Sequence, residues 1–289
     1  MKPSPFTYHD PATLSDAVGL LARLENVRPL AGGQSLMAMV NMRFVQPDHI
    51  IDLNLIDELT GIQKLASEIR IGATTRQHEL EFSPMIAQDL PLLKEALLHV
   101  GHRQTRNRGT LGGSLCHLDP ATEMVTIAAA YDAVVEITSS VGCREIKFHE
   151  FPLGFMTPSL VQNELLSAVR FPLWPAEHGH AFVEFSRRHG DFAIVSAAAL
   201  ILLDSKGVII RASLTLGGVD VAPIRMSEIE TLLLGEKPTD VLMEYASERC
   251  RAIEALSDAL ITSEYRQSLA VVMANRALRT ACARAGRLR

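Results

Sequence analysis

Three glycines, two arginines, a cysteine, a histidine and an aspartate crowd into RNRGTLGGSLCHLDP, Arg106–Pro120. Cys116, His117 and Asp119 have the residue types of a nucleophile set. Neighbours in sequence rarely converge, however, and such sets are recognised by geometry. The glycines carry the stronger signal. Glycine permits positive φ and close approach of a ligand to the backbone, and successive N–H groups at a turn ahead of a helix form an anion site without a lysine. Two segments fit this description, AGGQS (Ala31–Ser35) and GTLGGS (Gly109–Ser114). Each precedes a helical run and carries a serine beside its last glycine. Singly, either is equally a tight turn; together they fit a pyrophosphate held between two turns. GxGxxG after a strand, GxxxxGK[ST], HExxH and EF-hand patterns are all absent, which removes the familiar nucleotide, zinc-protease and calcium motifs.

The elements that must position these segments follow from periodicity. Thr13 and Asp16 form a capping-box pattern with Asp in place of Glu, and Leu14, Ala17, Val18, Leu21 and Leu24 share one helical face. NVRPL, then AGGQS, the helical run LMAMVNMRF stopped by Pro47, and the strand HIIDLNLI predict a small βαβ unit. Beyond it, IRIGATT reads as a strand and PLLKEALLHVG as a helix opened by Pro91 and closed by Gly101. ATEMVTIAAAYDA reads as an apolar helix, and VVEITSS, CREIKF and ELLSAVRFP as strands. FPLWPAEHGH, with two prolines and the single tryptophan, marks a domain boundary. Three long strands follow, HAFVEFSRR, DFAIVSAAALILLD and VIIRASLTLGGV, the last two joined by a Ser-Lys-Gly turn. Helices around Met226–Leu234, Asp240–Leu256 and Ser263–Ala285 complete the chain. Blocks of strands then helices indicate an α+β fold.

The 289 residues are 47% hydrophobic and 21% charged, with a net charge of −5, an ordinary globular composition that lacks the basic excess of a nucleic-acid surface. No apolar stretch is long enough for a membrane span, and the N-terminal MKPSPFTYHDP lacks the apolar run of a secretory signal. Cys116, Cys143, Cys250 and Cys282 lie far apart, which offers no iron–sulfur or zinc knuckle and suggests free thiols in a reducing, cytoplasmic compartment.

PLAGGQSLMAMVNMRF, PDHIIDLNLIDELTGI, RIGATTRQHEL and RNRGTLGGSLCHLDPATEM together resemble the FAD-binding medium subunit of molybdenum hydroxylases of the xanthine, carbon monoxide and nicotine dehydrogenase type. The likeness continues through FVEFSRRHGDFAIVSAAALILLD, LTLGGVDVAPIR and YRQSLAVVMANRAL, so it covers nearly the whole chain in order. It implies a two-part FAD-binding domain, a small βαβ subdomain (residues 1–58) and a mixed or antiparallel sheet subdomain (59–175). A C-terminal three-stranded antiparallel sheet with a helix bundle (176–289) follows. FAD is expected without a covalent bond, with Ala31, Gly32, Gly33, Gln34 and Ser35 on one side of the pyrophosphate and Leu30, Leu36 and Met37 flanking them. Gly109, Thr110, Gly112, Gly113 and Ser114 are expected on the other side, their amides facing the phosphates. Glu123, with Asp119 as alternative, matches an acid that binds a sugar hydroxyl.

Near the flavin ring the resemblance places Val100, Gly101, Asp191 and Phe192, the last two in the turn Gly190–Ala193, and Leu160 matches an apolar contact on either the adenine or the ring side. Phe192 keeps the stacking face of a tyrosine found in some relatives but not its hydroxyl, and Val183 replaces a lysine. Without the family, Phe192, Leu160 and Val100 are ordinary core residues. Arg106 and Arg108 either offset phosphate charge or pair with carboxylates, and His117 is a hydrogen-bonding neighbour. The arginines at 276, 279, 284, 287 and 289 suit a helix C-terminus facing solvent. No side chain of the chain is expected to be catalytic or to bind a metal. The implied role is electron transfer within a heterotrimer or its dimer, between a small subunit with 2Fe-2S clusters and an external acceptor, with the molybdenum cofactor on a large subunit. The rivals are a stand-alone FAD oxidase or dehydrogenase, which needs a pocket base, and a flavin-free scaffold.

Overall fold

The computed structural model describes residues 2–287, in which three larger sheets, each with its own helices, are accompanied by one two-stranded hairpin. The first holds β1 (Thr7–His9), β2 (Val27–Leu30) and β3 (His49–Asp52), all parallel in the order β1-β3-β2. Helices α1 (Leu14–Arg23) and α2 (Leu36–Asn41) connect them. β1 was not foreseen; three residues are too few to show alternation. The βαβ pattern is otherwise present. The Thr13 hydroxyl accepts from the Asp16 N–H at 3.1 Å, but the Asp16 carboxylate accepts from that same hydroxyl at 2.7 Å and leaves the cap's backbone N–H alone. The predicted second helix is shorter than LMAMVNMRF, because Arg43 turns left-handed at φ 60°.

The second sheet runs β4 (Ile62–Lys64), β5 (Glu68–Gly72), β10 (Glu164–Pro172), β6 (Val134–Ser139), β7 (Gly142–Lys147), and every pairing in it is antiparallel. A separate hairpin pairs β8 (Pro152–Gly154) with β9 (Thr157–Pro158). Six helices lie between β5 and β6: α3 (Gln77–Phe82), α4 (Pro84–Asp89), α5 (Pro91–Leu97), α6 (Arg103–Arg108), α7 (Leu111–His117) and α8 (Glu123–Ala130). Only α5 and α8 announce themselves by apolar periodicity. The others are one to two turns long, and tertiary packing rather than propensity holds such pieces.

The C-terminal sheet has four strands, not the three expected: β11 (Gly179–Phe185), β12 (Val195–Leu203), β13 (Ile209–Gly217) and the two-residue β14 (Ile224–Arg225). Helices α9 (Ser227–Leu233), α10 (Asp240–Glu248) and α11 (Ser263–Arg287) follow. The helix expected to reach Leu256 stops at Glu248 and continues as a 3-10 turn, Arg249–Ala252. These helices do not form a free-standing bundle. α11 lies across β11 and β12, while α5 and α8 of the preceding part cover the opposite face. Both faces of β12 are therefore buried. Val195, Ala197, Ala199 and Ile201 enter the core under α11, whereas Ala198 and Leu200 join the core built around Ile69–Phe171. That is the period-two alternation of a strand with apolar layers on both sides.

Candidate functional site

The two glycine segments meet. A Cβ on Gly32 would lie 2.2 Å from the Arg108 carbonyl oxygen, so only glycine allows the first segment to rest on the Arg108–Gly109 backbone. Gly33 adopts φ +72°, with the Leu30 and Met37 side chains against it. Across the gap, Gly113 faces Ala31. Within the described residues, the backbone N–H groups of Ala31, Gly32, Gly33, Gln34, Ser35 and Leu36 donate to no protein acceptor. The Ser35 hydroxyl makes no capping bond either. Six successive backbone donors without a protein acceptor, on a loop that is half-buried except at the exposed Gln34, are chemically suited to an anion.

The second segment differs from its expected form. Gly112, Gly113 and Ser114 are not a loop but the first turns of α7, with Thr110 as N-cap. The Leu111 N–H donates to Thr75 O at 3.2 Å, Gly112 N–H to Ala73 O at 2.9 Å and Gly113 N–H to Thr110 Oγ1 at 3.1 Å. The Gly112 and Gly113 amides are thus already engaged, and the amide reading of this side is corrected. Gly109 and Gly112 are required for packing, because a Cβ would lie 2.4 Å from Gln77 Oε1 or 2.7 Å from Ala73 Cβ. Without a protein acceptor remain the Thr110 N–H and two hydroxyl protons. Thr110 Oγ1 accepts from Gly113, and Ser114 Oγ accepts from Gln77 Nε2 at 3.0 Å, so each hydroxyl keeps its own proton to donate.

Asp119 is a turn former: its Oδ1 accepts from Ala121 N–H at 3.0 Å and its carbonyl accepts from Thr122. Glu123, at the start of α8, is only 6% exposed. Its carboxyl faces that of Glu184 on β11 within hydrogen-bonding reach. Burial, and for Glu184 also the neighbouring Glu123 charge, raises both groups, Glu123 to about 7 and Glu184 to about 8. His99 Nδ1 stands 4.0 Å from Glu184 and is itself pushed down by burial.

Val100 is held by Arg106, whose Nη1 donates to the Val100 carbonyl at 3.0 Å while Nε meets Glu81 Oε2 at 2.8 Å. Arg106 is buried in that ion pair and is not free for a phosphate. The turn Gly190–Ala193 rests on Gly101 and His102, since a Cβ on Gly190 (φ +84°) would lie 2.9 Å from Gly101 O. Phe192 in this turn is 63% exposed, so the core role for it is overturned. Asp191 is exposed beside it. Leu160 is half-buried against the main core, next to the end of β9, which contacts α7. Val183 packs apolar as its type demands.

The nucleophile reading fails in space. Burial pushes the Cys116 thiol up to about 12 and lowers His117, so neither is primed for attack. Among the described residues no cluster of His, Cys, Asp or Glu could hold a metal. The arginine run faces solvent only in part. Arg276 is exposed and Arg279 pairs with Asp240 and Glu244. Arg284 instead reaches Glu95 Oε2 at 2.6 Å and His180 O at 2.7 Å, tying α11 to α5. Arg289 and the Arg287 side chain lie outside the described residues. A further cation was not anticipated: Arg76, half-buried between the glycine segments, whose partners lie 22 and 32 residues away and leave no local signal.

An aromatic face, a carboxyl pair and a free-amide loop opposite two hydroxyls suit a long phosphate-bearing cofactor with a flat ring. The family profile described as the FAD-binding domain in molybdopterin dehydrogenase matches residues 4–174, and that of the CO dehydrogenase flavoprotein C-terminal domain matches 180–281. The carbon monoxide dehydrogenase medium chain of Afipia carboxidovorans is 36% identical over 287 residues, 99% of each chain. The nicotine 6-hydroxylase medium subunit of Paenarthrobacter nicotinovorans is 33% identical over 98% of this chain and 100% of its own. The solved reconstituted CO dehydrogenase from Oligotropha carboxidovorans superposes with a TM-score of 0.95 at 35% identity, covering 98% of this chain and 100% of that one. The chain belongs to the FAD-binding medium subunits of the molybdenum-dependent dehydrogenases, as the FAD-containing component of an oxidoreductase.

Proposed function

We propose that this chain is the electron-transfer subunit of a multi-subunit molybdenum hydroxylase, taking electrons from the 2Fe-2S clusters of a small partner subunit and delivering them to an external acceptor. A large partner subunit would carry the molybdenum cofactor, the three chains forming a heterotrimer or its dimer. FAD supplies the two-electron redox chemistry, and the protein's work is to hold and orient it. Ala31–Ser35 would bind the pyrophosphate by backbone N–H groups, with Leu30, Leu36 and Met37 flanking them. Thr110 and Ser114 would donate hydroxyls from the other side, and Gly109, Gly112 and Gly113 would let that side approach. Glu123, rather than the turn-forming Asp119, would take a sugar hydroxyl. Phe192 and Asp191 would cover the ring on one side, beside Val100 and Gly101, with Leu160 as an apolar contact.

The observation that carries this reading is the run of unsatisfied amides from Ala31 to Leu36 opposite two hydroxyls. We divide the chain into parts 1–58, 59–175 and 176–289, a reading supported by one large sheet within each, and four unpaired cysteines suit a cytoplasmic setting. No helix among the described residues is long and apolar enough to cross a membrane.

The chain purified alone should show flavin absorption bands after incubation with FAD. Gly32→Val, which drives a side chain into the Arg108 carbonyl, should abolish them while leaving the far-ultraviolet circular dichroism unchanged. A colourless wild type would favour the scaffold, and turnover of an organic substrate by the chain alone would favour the oxidase.

A further inference from the structure

The residues assigned to the pyrophosphate, Ala31–Ser35 and Gly109–Ser114, include no charged side chain. A diphosphate brings two negative charges into a half-buried groove, where an uncompensated ion is costly. Arg106 is consumed by Glu81, and Arg108 is exposed and contributes its carbonyl, not its guanidinium, to the contact between segments. Arg76, the N-cap of α3, is placed differently. Its Nη1 donates to Arg108 O at 2.5 Å, the same oxygen on which Gly32 rests. Its Nη2 donates to Asn54 Oδ1, and Asn54 Nδ2 donates to the Ala31 carbonyl at 3.0 Å. One guanidinium thus meets the backbone immediately before the second segment and the first segment through one amide.

Among the described residues no carboxylate forms an ion pair with Arg76. Asp52, the nearby acid on β3, is tied up by the Tyr8 hydroxyl and by Asn54. Burial, and then the neighbouring Arg108 charge, weaken the hold of Arg76 on its proton, and the carboxylates of Glu79 and Asp52 offset this only in part. The next residue, Gln77, completes the mounting: its N–H donates to Gly109 O at 2.9 Å and its Nε2 to Ser114 Oγ.

We propose that Arg76 is the cationic member of the diphosphate site, setting the spacing of the two glycine segments and supplying the positive charge they lack. The proposal rests on the FAD reading above. FAD titrations of the full-length apo chain at several salt concentrations, with ADP as competitor, test it. Arg76→Met should weaken FAD by about 10- to 100-fold, the scale of a lost charge-assisted contact. ADP should lose the same factor, and the salt dependence of binding should flatten. Arg76→Lys keeps the charge without the fork, so it should keep the salt dependence and recover part of the affinity. Asn54→Ala should weaken FAD with the salt dependence intact, and both variants carry the test if Arg76→Met does not fold. Wild-type affinity in Arg76→Met, or in both Arg76→Lys and Asn54→Ala, overturns the proposal, as does an Arg76→Met chain that loses FAD but not ADP. A wild type that takes up no FAD is a different result, because it removes the cofactor reading itself.

Discussion

At the scale of single residues, the molecule separates groups that look reactive from groups that act. Cys116 and His117 attract attention in the sequence, yet one is a half-buried thiol whose proton is held by desolvation and the other a half-buried ring that desolvation keeps from protonating. Glu123 and Glu184 attract none, being sixty-one positions apart, but they meet across the junction of α8 and β11 with Arg106 and His99 nearby. Their titration has a definite sign. Both carboxyls ionise near 4.5 when unfolded but only at about 7 and about 8 when folded, so the native state holds more protons between those limits. Stability contributed by this pair is therefore full below about pH 4.5 and declines as pH rises toward 8. Glu184→Gln should raise the thermal midpoint at pH 8 and leave it nearly unchanged at pH 5, measured by differential scanning fluorimetry. An equal shift at both pH values would mean that burial and Glu123 do not raise Glu184 into this range. Arg76 carries the same lesson from the other side, since its partners are set by the fold and not by spacing.

At the scale of elements, legibility followed burial. β12 and α8 are apolar enough to be seen in the sequence, and the glycine segments and their order along the chain were visible too. α3, α4, α6 and α7 were not, because each is too short for a periodic face to form and each is stabilised by what it packs against. The start of α7 shows the consequence. GTLGGS reads as a loop because three glycines disfavour helix, but the N–H groups of Leu111 and Gly112 find carbonyls at Thr75 and Ala73 that no local pattern reveals. Close approach also governs the seat of α11. A Cβ on Gly179 would lie 1.8 Å from the Ala281 carbonyl, so β11 and α11 touch backbone to backbone. Gly179→Val should destabilise the chain by about 3 kcal/mol, the upper range for overpacking, visible as a lower midpoint in urea. An unchanged midpoint would show that α11 can shift without loss.

At the scale of the whole molecule, the α+β class and the two-part order were evident from blocks of strands and helices, but the way the parts share their interiors was not. Ala198 and Leu200 of β12 complete a core whose other members begin at Ile69, while their neighbours on the same strand complete a second core under α11. Arg284 adds a polar tie from α11 to Glu95 on α5, and Gly190 seats the Phe192 turn on Gly101. The surface around Gly101 and Gly190 is thus assembled from both sides of the boundary near Trp174. Covalent continuity at the exposed residues Pro175–Glu177 is then dispensable once folding is complete. A chain nicked by a glutamyl protease after Glu177 should elute as one species in native gel filtration and separate into two fragments only in denaturant. What looks along the sequence like a hinge between two modules behaves as a seam inside a single cooperative body, and a cut there should cost neither the bound flavin nor the cover over it.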